Sequence, residues 1–145
     1  MTTCPICDSV QQARSGAHPH FLSELKETLA LLSDNQGCPG WCVLLLKDHH
    51  EHLAALPIPQ QLRIFEDVAR TATAIRQVFG PIRINYECLG NQVPHIHWHI
   101  IPRHPDDPTP TQPVWGWPPA QLRGNLSDQD RQALRDKLRS HLPPL

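Results

Sequence analysis

The segment His95-Ile-His-Trp-His-Ile-Ile101 constrains this chain more than any other. Histidines at 95, 97 and 99 alternate with Ile96, Trp98 and Ile100. A period of two is that of a β-strand, whose successive side chains point to opposite faces. A strand here places the imidazoles on one face, roughly 6.6 Å apart, and the apolar residues on the other. Each neutral imidazole has one donor and one acceptor nitrogen to satisfy. Its ordinary titration near neutrality suits both phosphate chemistry and metal binding. The bland alternative is a solvated face that happens to be rich in histidine. Two chemical readings stand against it. Alternate strand residues can supply metal ligands. A neutral ring can attack phosphorus while a neighbouring ring donates to a phosphate oxygen, where charge develops.

A chain of 145 residues fits one domain with a real core. Its 16 prolines predict long irregular segments around that core. Lys and Arg total 13 against 14 Asp and Glu, with no basic block, so a nucleic-acid partner is not expected. No stretch reaches the roughly 18 apolar residues of a membrane span. The N-terminus lacks a charged-then-apolar signal pattern, and a cytoplasmic location is expected. Cys4, Cys7, Cys38, Cys42 and Cys88 make an odd number, which argues against a disulfide framework.

Along the chain, residues 1–20 read as an N-terminal arm carrying the Cys4-x-x-Cys7 pair. Residues 21–25 and 28–32 read as short strands joined at Lys26-Glu27, although Leu25, Leu29 and Leu32 also fit helical spacing. Residues 33–40 form a loop, and the continuous apolar run 41–46 suits a buried central strand. Pro57 and Pro59 suit a helix start. Leu62, Phe65, Ala69, Ala72, Ile75 and Phe79 then recur at gaps of three and four, which predicts one helical face, stopped by Gly80-Pro81. Ile82, Ile84, Tyr86 and Cys88 alternate as in a half-buried strand. Proline density predicts an irregular segment over 104–126, anchored by Trp115 and Trp117. Those rings suit a place over a nucleotide base, against a second subunit, or against their own. Ser127 can cap a last helix over 127–142, whose stripe is Leu134, Leu138 and Leu142. No internal repeat or second domain is visible in residues 1–145.

The flanks of the histidine segment carry a resemblance. The stretch from Asn85 through Gly90-Asn-Gln-Val-Pro94 and the three histidines to Pro102-Arg103 resembles the signature of the histidine triad (HIT) family, His-x-His-x-His followed by two apolar residues. Pro39-Gly40, an apolar strand and Lys47-x-His49 resemble the family's upstream pattern, and the likeness covers about residues 20 to 103. Pro102-Arg103 and Gly90-Asn-x-Val-Pro94 resemble the bacterial Fhit-like members, the dinucleoside polyphosphate hydrolases. The resemblance implies an α+β fold, an antiparallel sheet of about five strands with one long helix and a C-terminal helix. It also implies a homodimer with the two sheets side by side.

Residue by residue, the resemblance implies that His97 attacks and takes the nucleoside monophosphate. His99 would bond the phosphate, and His95 would orient the site or bind a metal. Asn91 and Asn85 fall at phosphate-contacting positions. Asp34, or next Asn35, would hold the ribose of a purine nucleotide substrate. Trp41 stands where most members have histidine, and is assigned either to the nucleotide pocket or to core packing. The resemblance implies that no cofactor is required for catalysis. Some relatives build a structural zinc site from an N-terminal Cys pair, the Lys-x-His histidine and the first triad histidine, here Cys4, Cys7, His49 and His95. Two ordinary cysteines and surface-loop histidines are the alternative. The implied reaction is cleavage at the α-phosphate of dinucleoside polyphosphates or nucleoside phosphoramidates through a nucleotidyl-histidine. Phosphorolysis, a non-catalytic purine-nucleotide-binding module, and metal storage by the many histidines are the rival readings.

Overall fold

The computed structural model describes residues 4–145. Its centre is an antiparallel sheet of β1 (Phe21–Glu24), β2 (Thr28–Leu32), β3 (Cys42–Leu46), β4 (Arg83–Glu87) and β5 (His97–Arg103). The strand order is β1-β2-β3-β5-β4, which puts β5 beside the apolar central strands and leaves β4 at an edge. β2 is buried along its whole length and β3 along most of it, so both strand faces must be covered. On one face Leu44, Leu46, Trp98 and Ile100 pack against the long helix α2 (Ile58–Phe79) and the C-terminal helix α4 (Asp128–His141). On the other face Leu29, Leu31 and Leu45 meet α1 (Pro5–Arg14). Farther along that second face, Trp41 and Ile101 pack with Val114 and Trp117 from the proline-rich segment. His97 and His99 lie on this second face, between the two covers.

The expected strands and long helix are present, and three expectations need correction. Within the expected N-terminal arm, residues 5–14 form a helix. Pro5 sits at the first helical position, where a missing N–H costs nothing, and Ile6, Val10 and Ala13 recur on one face of α1 and are buried. Residues 1–3 lie outside the described part. On α2, Ile64, Val68, Thr71, Ala72 and Ile75 face the core, while Leu62 and Phe65 are 61% and 47% exposed. The reason is Asp67. Its carboxylate turns inward and accepts from the backbone N–H groups of Lys26, Glu27 and Thr28 and from the Thr28 hydroxyl. Satisfying the β1–β2 turn in this way fixes the rotation of the helix, and the second apolar stripe is left outside.

Segment 104–126 also holds more structure than its prolines suggest. It contains a turn of 3-10 helix at Val114–Gly116 and the short helix α3 (Pro119–Arg123), again with proline in the first turn. The segment is held through Arg103. This buried guanidinium donates to Asp107, to the carbonyls of Gln112 and Thr109, and to Asn85 Oδ1. Ser127 caps α4 by accepting from the Asp130 N–H. Among the described residues no helix is long and apolar enough to cross a membrane.

Candidate functional site

The strand begins at His97, so the three histidines do not form an even row. His95 precedes β5 and is buried, turned towards α1 and the loop after β3. Its Nε2 lies 2.9 Å from the Leu46 carbonyl, which can only accept, so Nε2 carries the proton and Nδ1 offers a lone pair. That Nδ1 lies 3.5 Å from both Cys4 Sγ and Cys7 Sγ, and His49 Nδ1 lies 3.4 Å from Cys7 Sγ. The four ligand atoms are all within 4.8 Å of one another. Zinc held at its usual S and N distances in a tetrahedron separates S from N by about 3.5 Å. The donor set therefore fits a closed Cys₂His₂ zinc site, and the Leu46 bond supplies the outer contact that orients such a ligand.

His97 and His99 follow on one strand face, their ring centroids 5.3 Å apart. His97 Nδ1 lies 2.7 Å from the His95 carbonyl, so Nδ1 donates and Nε2 is left unprotonated in the neutral ring. Both rings line a cleft of about 470 Å³ with Asn35, Asn91, Val93 and Trp115. The Gly90-Asn91-Gln92 turn forms its rim. Trp115 is 39% exposed and sits edge-on to His99 at 5.0 Å between centroids. Its Nε1 donates to Glu87, which pairs with His99 across the β4–β5 ladder. Trp117, by contrast, is buried in the core.

The remaining expected site residues divide. Asn35 and Asn91 border the cleft. The Asp34 side chain points outward, 3.3 Å from His20 Nε2. Asn85 is engaged by Arg103, 2.9 Å from its Nη1. Trp41 is fully buried and meets the cleft through His99 and Trp115, not with its own surface. Trp115 takes one of the places that its sequence context suited, beside the cleft, whereas its anchor Glu87 was not singled out from sequence. The readable signal is register: Glu87 follows Asn85 by two and so shares the histidine face.

Burial, and secondarily His97, lower the pKa of His99 from 6.5 to about 4. Between those values the unfolded chain binds a proton that the folded chain refuses, so stability rises with pH across the window and is lost as pH falls through it. With allowance for the partly exposed ring, the loss attributable to this group is on the order of 2 kcal/mol. Denaturant unfolding at intervals from pH 4 to 6.5 should give a flatter stability profile for His99→Gln than for the parent. Parallel profiles would contradict the assignment.

The HIT domain family model matches residues 15–106. The Bacillus subtilis protein named Protein hit is 34% identical over 86 residues, covering 56% of this chain and 59% of that protein, so two fifths of that relative lies outside the match. A crystal structure of a histidine triad protein from Marinobacter aquaeolei superimposes with a TM-score of 0.75 at 28% identity, covering 85% of this chain and 88% of that one. A zinc-bound histidine triad family protein from Mycobacterium smegmatis shares the fold, with a TM-score of 0.68 at 23% identity over 97% of this chain and 93% of that one.

Proposed function

The chain belongs to the histidine triad (HIT) family, and on that premise we propose that it hydrolyses nucleotides at the α-phosphorus, with His97 as nucleophile. The observation that carries this reading is the 2.7 Å bond from His97 Nδ1 to the His95 carbonyl, which leaves the Nε2 lone pair for attack. In the first step Nε2 bonds to the α-phosphorus of a dinucleoside polyphosphate or a nucleoside phosphoramidate. The bond from phosphorus to the bridging oxygen or nitrogen breaks, and its electron pair leaves with that group. Water then attacks the nucleotidyl-histidine, the P–N bond breaks and the pair returns to Nε2; the proton that the water gives up to solvent balances the one the departing group takes from solvent. His99 steadies a non-bridging oxygen, and the Asn35 and Asn91 amides supply polar contacts for ribose and phosphate.

His97→Gly should lower turnover by about 10³-fold or more while leaving the fold intact. Parent protein mixed with radiolabelled diadenosine tetraphosphate and quenched in alkali should carry label on residue 97. Full activity in the variant, or no trapped label during turnover, defeats the mechanism.

The Cys4, Cys7, His49 and His95 cluster supports a structural zinc, in keeping with the zinc-bound Mycobacterium smegmatis protein. When bound, the ion ties α1 to the loop after β3 and has no part in the reaction steps. Protein purified without chelator or nickel resin should contain about one equivalent of zinc, and Cys4→Ser should both remove it and lower the thermal midpoint. Metal-free parent protein with an unchanged midpoint after zinc addition would refute this.

The homodimer is supported by the outer stripe of α2, where Ile58, Leu62 and Phe65 are exposed, and by Tyr86, exposed on edge strand β4. Exposed apolar residues at helical spacing and an edge strand are each suited to burial against a second copy. Sedimentation velocity should find a dimer for the parent and a monomer for Leu62→Glu; a monomeric parent at micromolar concentration would refute the dimer.

A further inference from the structure

Trp41 is fully buried, and its indole Nε1 lies 3.1 Å from Nδ1 of His99. The two rings meet edge-on, with centroids 5.7 Å apart and planes at 74°. An indole N–H can only donate, so His99 Nδ1 must accept and carries no proton. The proton of the neutral ring is then on Nε2. A protonated His99 would set two donors against each other at this contact.

The indole is itself held in place. Gly40, immediately before it, has φ of 98°, and a Cβ there would lie 2.5 Å from the Phe79 ring, so only glycine fits. Buried Gln36 grips the same stretch from both sides: its Nε2 donates to the Trp41 carbonyl at 2.9 Å, and its Oε1 accepts from the Gly40 N–H at 2.9 Å. Trp115 meets both rings edge-on, with centroids 5.0 Å from His99 and 5.5 Å from Trp41. Burial of an indole does not by itself supply a partner, for Trp98 on the opposite sheet face has none for its Nε1.

We propose that Trp41 is a positioning residue that holds His99 in the Nε2–H tautomer, so that one neutral N–H donor is aimed at the phosphate position of the cleft. The role in turnover rests on the hydrolase reading above; the tautomer itself does not. The contact is a function of this chain's own tryptophan, at a position where packing alone would have accepted many apolar side chains.

The test is ¹⁵N NMR of histidine-labelled, substrate-free protein, with the His99 signals identified by their absence in His99→Gln. The parent should show His99 Nδ1 unprotonated and Nε2 protonated. Trp41 is then replaced by 3-benzothienylalanine, which keeps the shape of the side chain and puts sulfur in place of N–H, with Trp41→Phe as a second variant. The benzothienyl protein should show mixed His99 tautomers, and kcat should fall on the order of tenfold with KM close to the parent value. A proton on Nδ1 in the parent, an unchanged His99 spectrum in the benzothienyl protein, or an undiminished kcat overturns the proposal. If the parent turns over no nucleotide, the hydrolase reading fails while the NMR result still decides the role of Trp41.

Discussion

His95 joins two parts of the molecule that the rest of the site depends on. Its ring faces Cys4, Cys7 and His49 through Nδ1 and the Leu46 carbonyl through Nε2. Its carbonyl receives the His97 Nδ1–H. A residue with a pinned ring has little freedom to turn its carbonyl, so the orientation of His97 depends at once on α1, on the loop after β3 and on the central strand. The alternating histidines are thus unequal: one is an anchor, one is aimed from that anchor, and one is set from the opposite side.

The opposite wall is held by different chemistry. Arg103 and Asp107 are an ion pair with both side chains 2% exposed, a costly arrangement unless every polar atom is satisfied. Here Asn85, two carbonyls and the Thr109 N–H complete it. A proline-rich segment has few N–H groups for regular structure, and the guanidinium replaces them as a hub. With the segment fixed there, Val114 and Trp117 enter the core and Trp115 is delivered to the edge of the cleft. Trp41 lies beneath, in contact with both the segment and His99.

Periodicity made the strands, the long helix and the histidine face legible, because each of those depends on a pattern within one element. The features that escaped are set by contacts between elements. Two apolar stripes overlap on α2, and the choice of Ile64 and Val68 over Leu62 and Phe65 is made by Asp67 bonding a distant turn. α1 offers only Ile6, Val10 and Ala13 as a buried face, too few to stand out beside its polar residues. The period of two placed His95 in line with His97, yet the Ile96 N–H bonds the His50 carbonyl before the strand begins, which turns His95 out of the row. The Cys/His set was nameable only through resemblance, since ligands from three parts of the chain share no local spacing. Trp41 was visible as a departure, but its bond to His99 required knowing that Val43 and His99 are neighbours across β3 and β5.

The charge of the cleft narrows the chemistry it can serve. Among the described residues that line it there is no lysine or arginine, and His99 is kept neutral by burial beside His97. In the proposed reaction phosphate contacts would come from neutral, directional donors: the His99 imidazole N–H and the asparagine amides. Such donors match a phosphorus centre with a single negative charge, as in an internal diester or a phosphoramidate. A terminal phosphate with two charges would enter a cleft whose lining offers no lysine or arginine as countercharge, at a desolvation cost. The proposed substrates present the first kind of phosphorus at the position of attack. The geometry around His97 and the electrostatics of the cleft therefore argue for the same bond.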